Sequence, residues 1–150
     1  MDSFEPERLP RQTKIPASGT SIERRKALVV DGDESSRAFA AEALHSFAPG
    51  FDVATAPDPR QALAWLETFS PDLLVTELGV AAEGHAVLRE TLRQSARTRA
   101  CRVVVMSSLP SDDPRVEQAR LDSDAVLVKP VGLPVLLEAV RRVMSQDRSH

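Results

Sequence analysis

Five short apolar runs alternate with five segments of helical periodicity, and this alternation limits the possible folds more than any other feature of the chain. The runs are ALVV at 27–30, FDVATA at 51–56, DLLVT at 72–76, RVVVMS at 102–107 and DAVLVK at 124–129. Short runs rich in β-branched residues predict strands. Strands that alternate with helices predict an α/β fold, with a parallel sheet covered by helices on both faces.

The segments between the runs carry apolar residues at helical spacing. We predict helices at 34–47, 58–69, 84–96, 112–121 and 133–144. Asp58 is predicted to cap the second helix, and Pro59 suits its first position. The residues expected to face the core are Ala40, Leu44, Phe47, Ala62, Leu66, Phe69, Leu88, Leu92, Leu133, Leu137, Val140 and Met144.

Composition and charge indicate a soluble cytoplasmic domain. The 150 residues are 42% hydrophobic and 27% charged, with a net charge of −3. That balance does not favour nucleic-acid binding, and no signal peptide or membrane span of about 18 apolar residues is visible. Cys101 is the single cysteine, so it cannot form an intrachain disulfide, and it precedes an apolar run. It is therefore predicted to be a small core residue.

The chain is predicted to have one folded domain between two flexible ends. Residues 1–25 form the expected N-terminal tail, 26–145 the domain and 146–150 a flexible C-terminus. Arg24, Arg25 and Lys26 either bind an acidic partner or are a solvated approach to the first strand.

Polar residues follow four of the five predicted strands. Asp31, Gly32 and Asp33 follow the first strand, and Glu77, Ser107 and Lys129 end the third, fourth and fifth. The carboxyl ends of parallel strands meet at one edge of an open sheet, where functional groups gather. Two carboxylates, a hydroxyl and an ammonium group are therefore expected in one crevice.

With these motifs in place, the chain resembles the receiver domain of two-component response regulators. The segments that carry the resemblance are ALVVDGDESSR, FDVATAPDPRQALAWLETFSPDLLVTEL, VVVMSS and AVLVKP. The resemblance implies a flavodoxin-like (βα)5 fold with strand order 2-1-3-4-5. It also implies a phosphorylation switch, in which an Asp after the third strand accepts a phosphoryl group from a histidine kinase in the presence of Mg²⁺.

This chain departs from the family pattern at several positions. Glu77 stands at the phosphoacceptor position, Gly32 replaces the second acid after the first strand, and Val126 replaces the aromatic switch residue. Ser107 suits the family's hydroxyl position, and Lys129 with Pro130 matches its lysine and proline. The loop LGVAAEG after Glu77 lacks the usual proline and has one residue fewer.

The departures predict a degenerate receiver. Glu77 moves the acceptor oxygens by roughly 1.5 Å, and a misplacement of about 1 Å can slow a reaction on the order of 100-fold. We expect inefficient phosphorylation, and weak or absent Mg²⁺ binding because one hard anionic ligand is missing. Asp33 is expected to cap the first helix rather than replace that ligand.

A cluster of acids without a metal needs another cation. We predict an ion pair between Lys129 and Glu77, supported by Asp31 and by Ser107. Two alternatives stay open for the domain: an active-like conformation, or a constitutive one that differs from both family states.

The expected function is that of a stand-alone, phosphorylation-independent interaction module in bacterial signalling. It is not expected to be an enzyme, and it should act as a monomer or weak homodimer on a histidine kinase or a downstream effector. The alternative is a working phospho-switch despite Glu77. His45 and His85 are predicted at the surface, and Trp65 is predicted to pack beside the core.

Overall fold

Strands and helices alternate through the whole domain in the computed structural model. It describes residues 24–47, 50–79 and 82–146, with only the backbone at 82 and 83. The elements are β1 (Arg25–Val30), α1 (Glu34–Ser46), β2 (Phe51–Ala56), α2 (Pro59–Trp65), β3 (Leu73–Leu78), α3 (Ala82–Arg93), β4 (Arg102–Ser107), α4 (Pro114–Asp122), β5 (Ala125–Val128) and α5 (Leu133–Ser145).

The five strands form one parallel sheet in the order β2-β1-β3-β4-β5. This order and the alternation confirm the predicted flavodoxin-like fold. In the register, Leu78 lies beside Ser107, and Ser107 lies beside Val128. The carboxyl ends of β3, β4 and β5 therefore lie side by side.

The sheet is buried on both faces, which explains why its strands are almost continuously apolar. Val103 and Val105 of β4 pack with α2, α3 and α4, whereas Val104 and Met106 pack with α1 and α5. Cys101 joins the first of these clusters, as predicted.

The predicted helices differ from those observed in their bounds or in the face that they bury. The helix predicted at 84–96 is Ala82–Arg93, and the one predicted at 112–121 is Pro114–Asp122. Leu133 was expected to face the core, but it is 45% exposed, and the buried residues of α5 are Leu136, Ala139, Val140 and Val143. These four residues recur at spacings of three and four and form one stripe, which does not include Leu133. The second helix, α2, ends at Trp65. Beyond it, the backbone N–H groups of Glu67 and Thr68 donate to carbonyls three residues back, so this turn is tighter than a turn of α-helix.

The histidines also differ from each other. His45 is exposed, as predicted, but the prediction for His85 was wrong because this side chain is only 7% exposed. Trp65 packs edge-on against Phe69 and donates its indole N–H to the Thr55 carbonyl, in keeping with a packing role.

The predicted tails are mostly outside the described residues, which include only Arg24 and Arg25 of 1–25 and Gln146 of 146–150. Arg24 forms an ion pair with Asp52, with its Nε 2.6 Å from Oδ1. Among the helices that the structure describes, none has the length and apolar character needed to cross a membrane.

Candidate functional site

Lys129 brings the ends of β1, β3 and β5 together at the carboxyl edge of the sheet. Its backbone N–H donates to the Ser107 carbonyl at 2.8 Å, which fixes the residue beside the end of β4. Its Nζ lies 3.1 Å from Asp31 Oδ2 and 3.6 Å from Glu77 Oε2. The predicted contact with Glu77 is therefore present, and Asp31 is the closer partner.

Asp31 is the most buried charged group of this site, with 4% of its surface exposed. Its second oxygen, Oδ1, accepts a hydrogen bond from the Asp33 N–H at 2.9 Å. Burial acts to raise the pKa of Asp31, but hydrogen bonds from the Asp33 amide, from Lys129 and from the Ser36 hydroxyl outweigh it. The pKa of Asp31 therefore lies below its usual value, and the carboxylate is ionised at neutral pH.

Glu77 has both carboxylate oxygens engaged. Oε1 accepts from the Gly32 N–H at 3.2 Å, and Oε2 faces Lys129. A Cβ at Gly32 would lie 3.9 Å from Oε1, and one at Gly79 would lie 3.6 Å from Oε2. The carboxylate therefore lies between Gly32, after β1, and Gly79, after β3.

Asp33 caps α1. Its Oδ2 accepts from the Ser36 N–H at 2.8 Å, as expected of an N-cap residue. The predicted cap of the first helix is therefore present. Asp31 and Glu77 are thus the two carboxylates that contact Lys129.

The hydroxyl at the end of β4 does not join the cluster. Ser107 is fully buried, and its Oγ accepts from the Leu109 N–H at 3.0 Å and lies 3.3 Å from the Leu109 carbonyl. Ser108 is exposed. Val126 is half-buried and packs against the cluster formed with α2, α3 and α4.

Arg37 is a site residue that the sequence interpretation missed. Its Nη1 donates to the Asp31 carbonyl at 2.8 Å, which brings a second cation to the end of β1. The available signal was its position four residues after the cap Asp33, on the same face of α1. With Arg37 included, two cations and two carboxylates meet at this edge of the sheet.

Comparison with known proteins agrees with this architecture. The family model of the response regulator receiver domain matches residues 27–141. The chemotaxis response regulator CheY4 of Vibrio cholerae is 23% identical, with a TM-score of 0.68 over 81% of this chain and 99% of that one. A response regulator receiver protein from Pseudomonas putida is 29% identical, with a TM-score of 0.66 over 81% of this chain and 98% of that one.

No curated protein matches the chain in sequence. The family match covers most of the chain, from Ala27 within β1 into α5, and it includes every residue of the cluster around Lys129. The sheet order, the polar strand ends and the family match lead to one conclusion: the chain belongs to the response regulator receiver domain family of two-component signalling.

Proposed function

We propose that this receiver domain is a phosphorylation-independent interaction module in signal transduction. The observation that carries the proposal is the position of Lys129 Nζ, 3.1 Å from Asp31 and 3.6 Å from Glu77. In the family, the equivalent lysine binds the phosphoryl group. Here the carboxylates of the chain itself supply the negative charge, so the ammonium group is paired without phosphorylation.

The donor set at this edge does not suit Mg²⁺. Both oxygens of Asp31 accept protein hydrogen bonds, Asp33 caps α1, and Gly32 has no side chain to offer. No group of three or more potential ligands that could hold a metal occurs within 24–47, 50–79 and 84–146. Mg²⁺ needs near-ideal octahedral coordination, so binding here would require the ion pairs to break.

The position of Glu77 also argues against efficient phosphoryl transfer. In-line attack needs the acceptor oxygen free and correctly placed. Instead, Glu77 Oε2 faces Lys129 and Oε1 accepts from Gly32. A nucleophile held by a cation and by a backbone amide is both misplaced and less reactive.

A receiver domain that is not phosphorylated can still act by docking on a partner protein. Exposed apolar side chains lie on α4 and β5, which form the surface that receivers commonly use for docking or dimerisation, and on the first turn of α5. They are Leu121, Val128, Leu133 and Val135. We propose that this face binds a signalling protein, either a histidine kinase or a downstream effector. The chain itself is proposed to be a monomer or a weak homodimer.

The test is uptake of phosphate from acetyl phosphate, a small phosphodonor, with Mg²⁺ present. We compare the wild type with the double variant Gly32→Asp/Glu77→Asp by intact mass. A Cβ at Gly32 meets only ordinary contacts, 3.5 Å from the Pro57 carbonyl and 3.9 Å from Glu77 Oε1. The variant therefore accommodates the two acids of the family pattern and serves as the matched positive control.

We expect no phosphoryl adduct on the wild type and an adduct on the double variant. A cleft of about 500 Å³ opens beside Lys129, between the first turn of α1 and Pro130. An adduct on the wild type at Glu77 would overturn the proposal and establish the alternative, a working phospho-switch. An adduct on neither protein would show that the two acids alone do not decide reactivity, and would overturn the reasoning from Gly32 and Glu77.

A further inference from the structure

A partly buried polar cluster joins α3 to the end of α4, away from the site around Lys129. We call it the α3–α4 junction and define it as His85, Arg89 and Arg93 of α3 with Asp122 of α4. Arg89 Nη2 lies 3.3 Å from Asp122 Oδ2, and Arg93 Nη2 donates to the Asp122 carbonyl at 3.4 Å. These contacts link two helices that follow different strands.

His85 is the unusual member of the α3–α4 junction. It is 7% exposed, and neither ring nitrogen has a hydrogen-bond partner among the described residues. The Nε of Arg89 and the Oγ of Ser123, which follows Asp122, are also buried without a partner there. Buried polar atoms without partners are rare in folded proteins, and each needs a physical explanation.

The surroundings of His85 favour the neutral ring. Burial lowers the pKa of His85 below its ordinary 6.5, Arg89 lowers it further, and Asp122 opposes them. Arg89 lies on the same helix as His85, and Asp122 lies on α4. The helix α2 also packs on α3, but none of its charged side chains shifts the pKa of His85. A neutral imidazole fits this site, because a protonated one would add a second cation beside Arg89.

We infer that the α3–α4 junction is an acid-sensitive contact, in which protonation of His85 displaces Arg89 from Asp122 and changes the position of α4. Protonation turns the ring into a cation that donates at both nitrogens. His85 lies four residues before Arg89 on α3, so the two side chains share one helix face, where like charges repel. The new cation therefore drives the Arg89 guanidinium away from Asp122, and since Asp122 is the last residue of α4, its release acts directly on this helix.

The sign of the effect follows from linkage. The unfolded chain titrates near 6.5, and folded His85 titrates lower. The neutral ring therefore stabilises the fold fully above pH 6.5, and this contribution is lost as the pH falls from there through the folded value. Acidification loosens the contact, and α4, which carries the exposed Leu121, changes its surface as it does so.

The experiment is an NMR titration of the full chain from about pH 7.5 to about pH 5, the range in which histidine changes charge. We expect the His85 ring to titrate with a midpoint below 6.5. The amide signals of α3 and α4 should move with that same midpoint. A His85 midpoint at or above 6.5, or α4 amides that do not follow the ring, would overturn the inference.

Two variants separate His85 from the other titrating groups. His85→Leu should abolish the movement of the α4 amides, whereas His45→Leu, which removes an exposed imidazole, should retain it. The melting temperature of the wild type should also fall more steeply with acidification than that of His85→Leu. Parallel slopes would contradict the inference, and if His85→Leu does not fold, the wild-type ring and amide midpoints decide the matter.

Discussion

Replacing Lys129 by Met tests the ion pairs that organise the site. The substitution keeps a side chain of similar length but removes the cation that faces Asp31 and Glu77. Asp31 is 4% exposed, so its charge cannot gain water without a change in structure. Removing one partner of a fully buried pair typically costs about 3–5 kcal/mol.

The expected loss is smaller here, because the pair is not fully buried. The side chain of Lys129 is 20% exposed and that of Glu77 is 26% exposed, so Glu77 can turn towards water. Asp31 also keeps the hydrogen bond from the Asp33 amide. We therefore expect a loss of about 2 kcal/mol, near the value of a hydrogen bond to a charged group. With a typical denaturant slope of about 2 kcal/mol/M, the urea midpoint should fall by about 1 M.

The assay is urea unfolding at pH 7 followed by circular dichroism, with Arg141→Met as the matched control. Arg141 Nη2 lies 2.6 Å from Glu138 Oε2, which is closer than Lys129 Nζ lies to either of its carboxylates. The side chains of Arg141 and Glu138 are, however, largely exposed. Exposed pairs contribute little, so the control should unfold near the wild-type midpoint. An unchanged midpoint for Lys129→Met, or an equal loss in both variants, would refute the argument that burial decides the contribution.

The loss of stability caused by Lys129→Met should depend on pH. The pKa of Asp31 is lower in the folded state than its unfolded value of 3.8. The stability from ionised Asp31 is therefore fully present above that value and is lost as the pH falls through the folded pKa. The difference between the wild type and Lys129→Met should shrink below about pH 4, and a constant difference would point to packing rather than charge.

Two further substitutions test the elements around the site. Asp33→Ala should lower the free energy of unfolding by about 1 kcal/mol, because the α1 cap to Ser36 is lost. Asp33→Ser should retain most of the stability, since Ser also caps helices. Equal losses in thermal unfolding would contradict the capping role. Gly84→Ala would place its Cβ 2.5 Å from the Pro59 ring, so it should cost about 1 kcal/mol or more despite the better helix propensity. Gly32→Ala, with ordinary contacts, is its control, and a melting temperature for Gly84→Ala at or above the wild-type value would rule out the clash.

The fold could be predicted from the sequence because its determinants are local. Each βα unit carries its own apolar run, helical stripe and turn signals, and a parallel sheet follows from their alternation. The site could be located for the same reason, since a parallel sheet places the residues after each strand at one edge. Asp31, Glu77 and Lys129 therefore converge although they are far apart in the chain.

Finer features depended on contacts between distant segments. The sequence suggested that Glu77 would be the main partner of Lys129, but Asp31 is closer, at 3.1 Å against 3.6 Å. Differences of this size depend on strand register and side-chain rotamers. The same applies to Ser107, whose hydroxyl bonds to Leu109 in the turn that follows β4.

The sequence by itself therefore determined the order of the elements, the family and the residues at the carboxyl edge of the sheet. Only the tertiary structure decided which face of α5 is buried, which carboxylate holds Lys129 most closely, and that His85 is buried. The physical reason is that periodicity and turn signals act within a few residues, whereas burial and ion pairing depend on which distant segment covers a side chain.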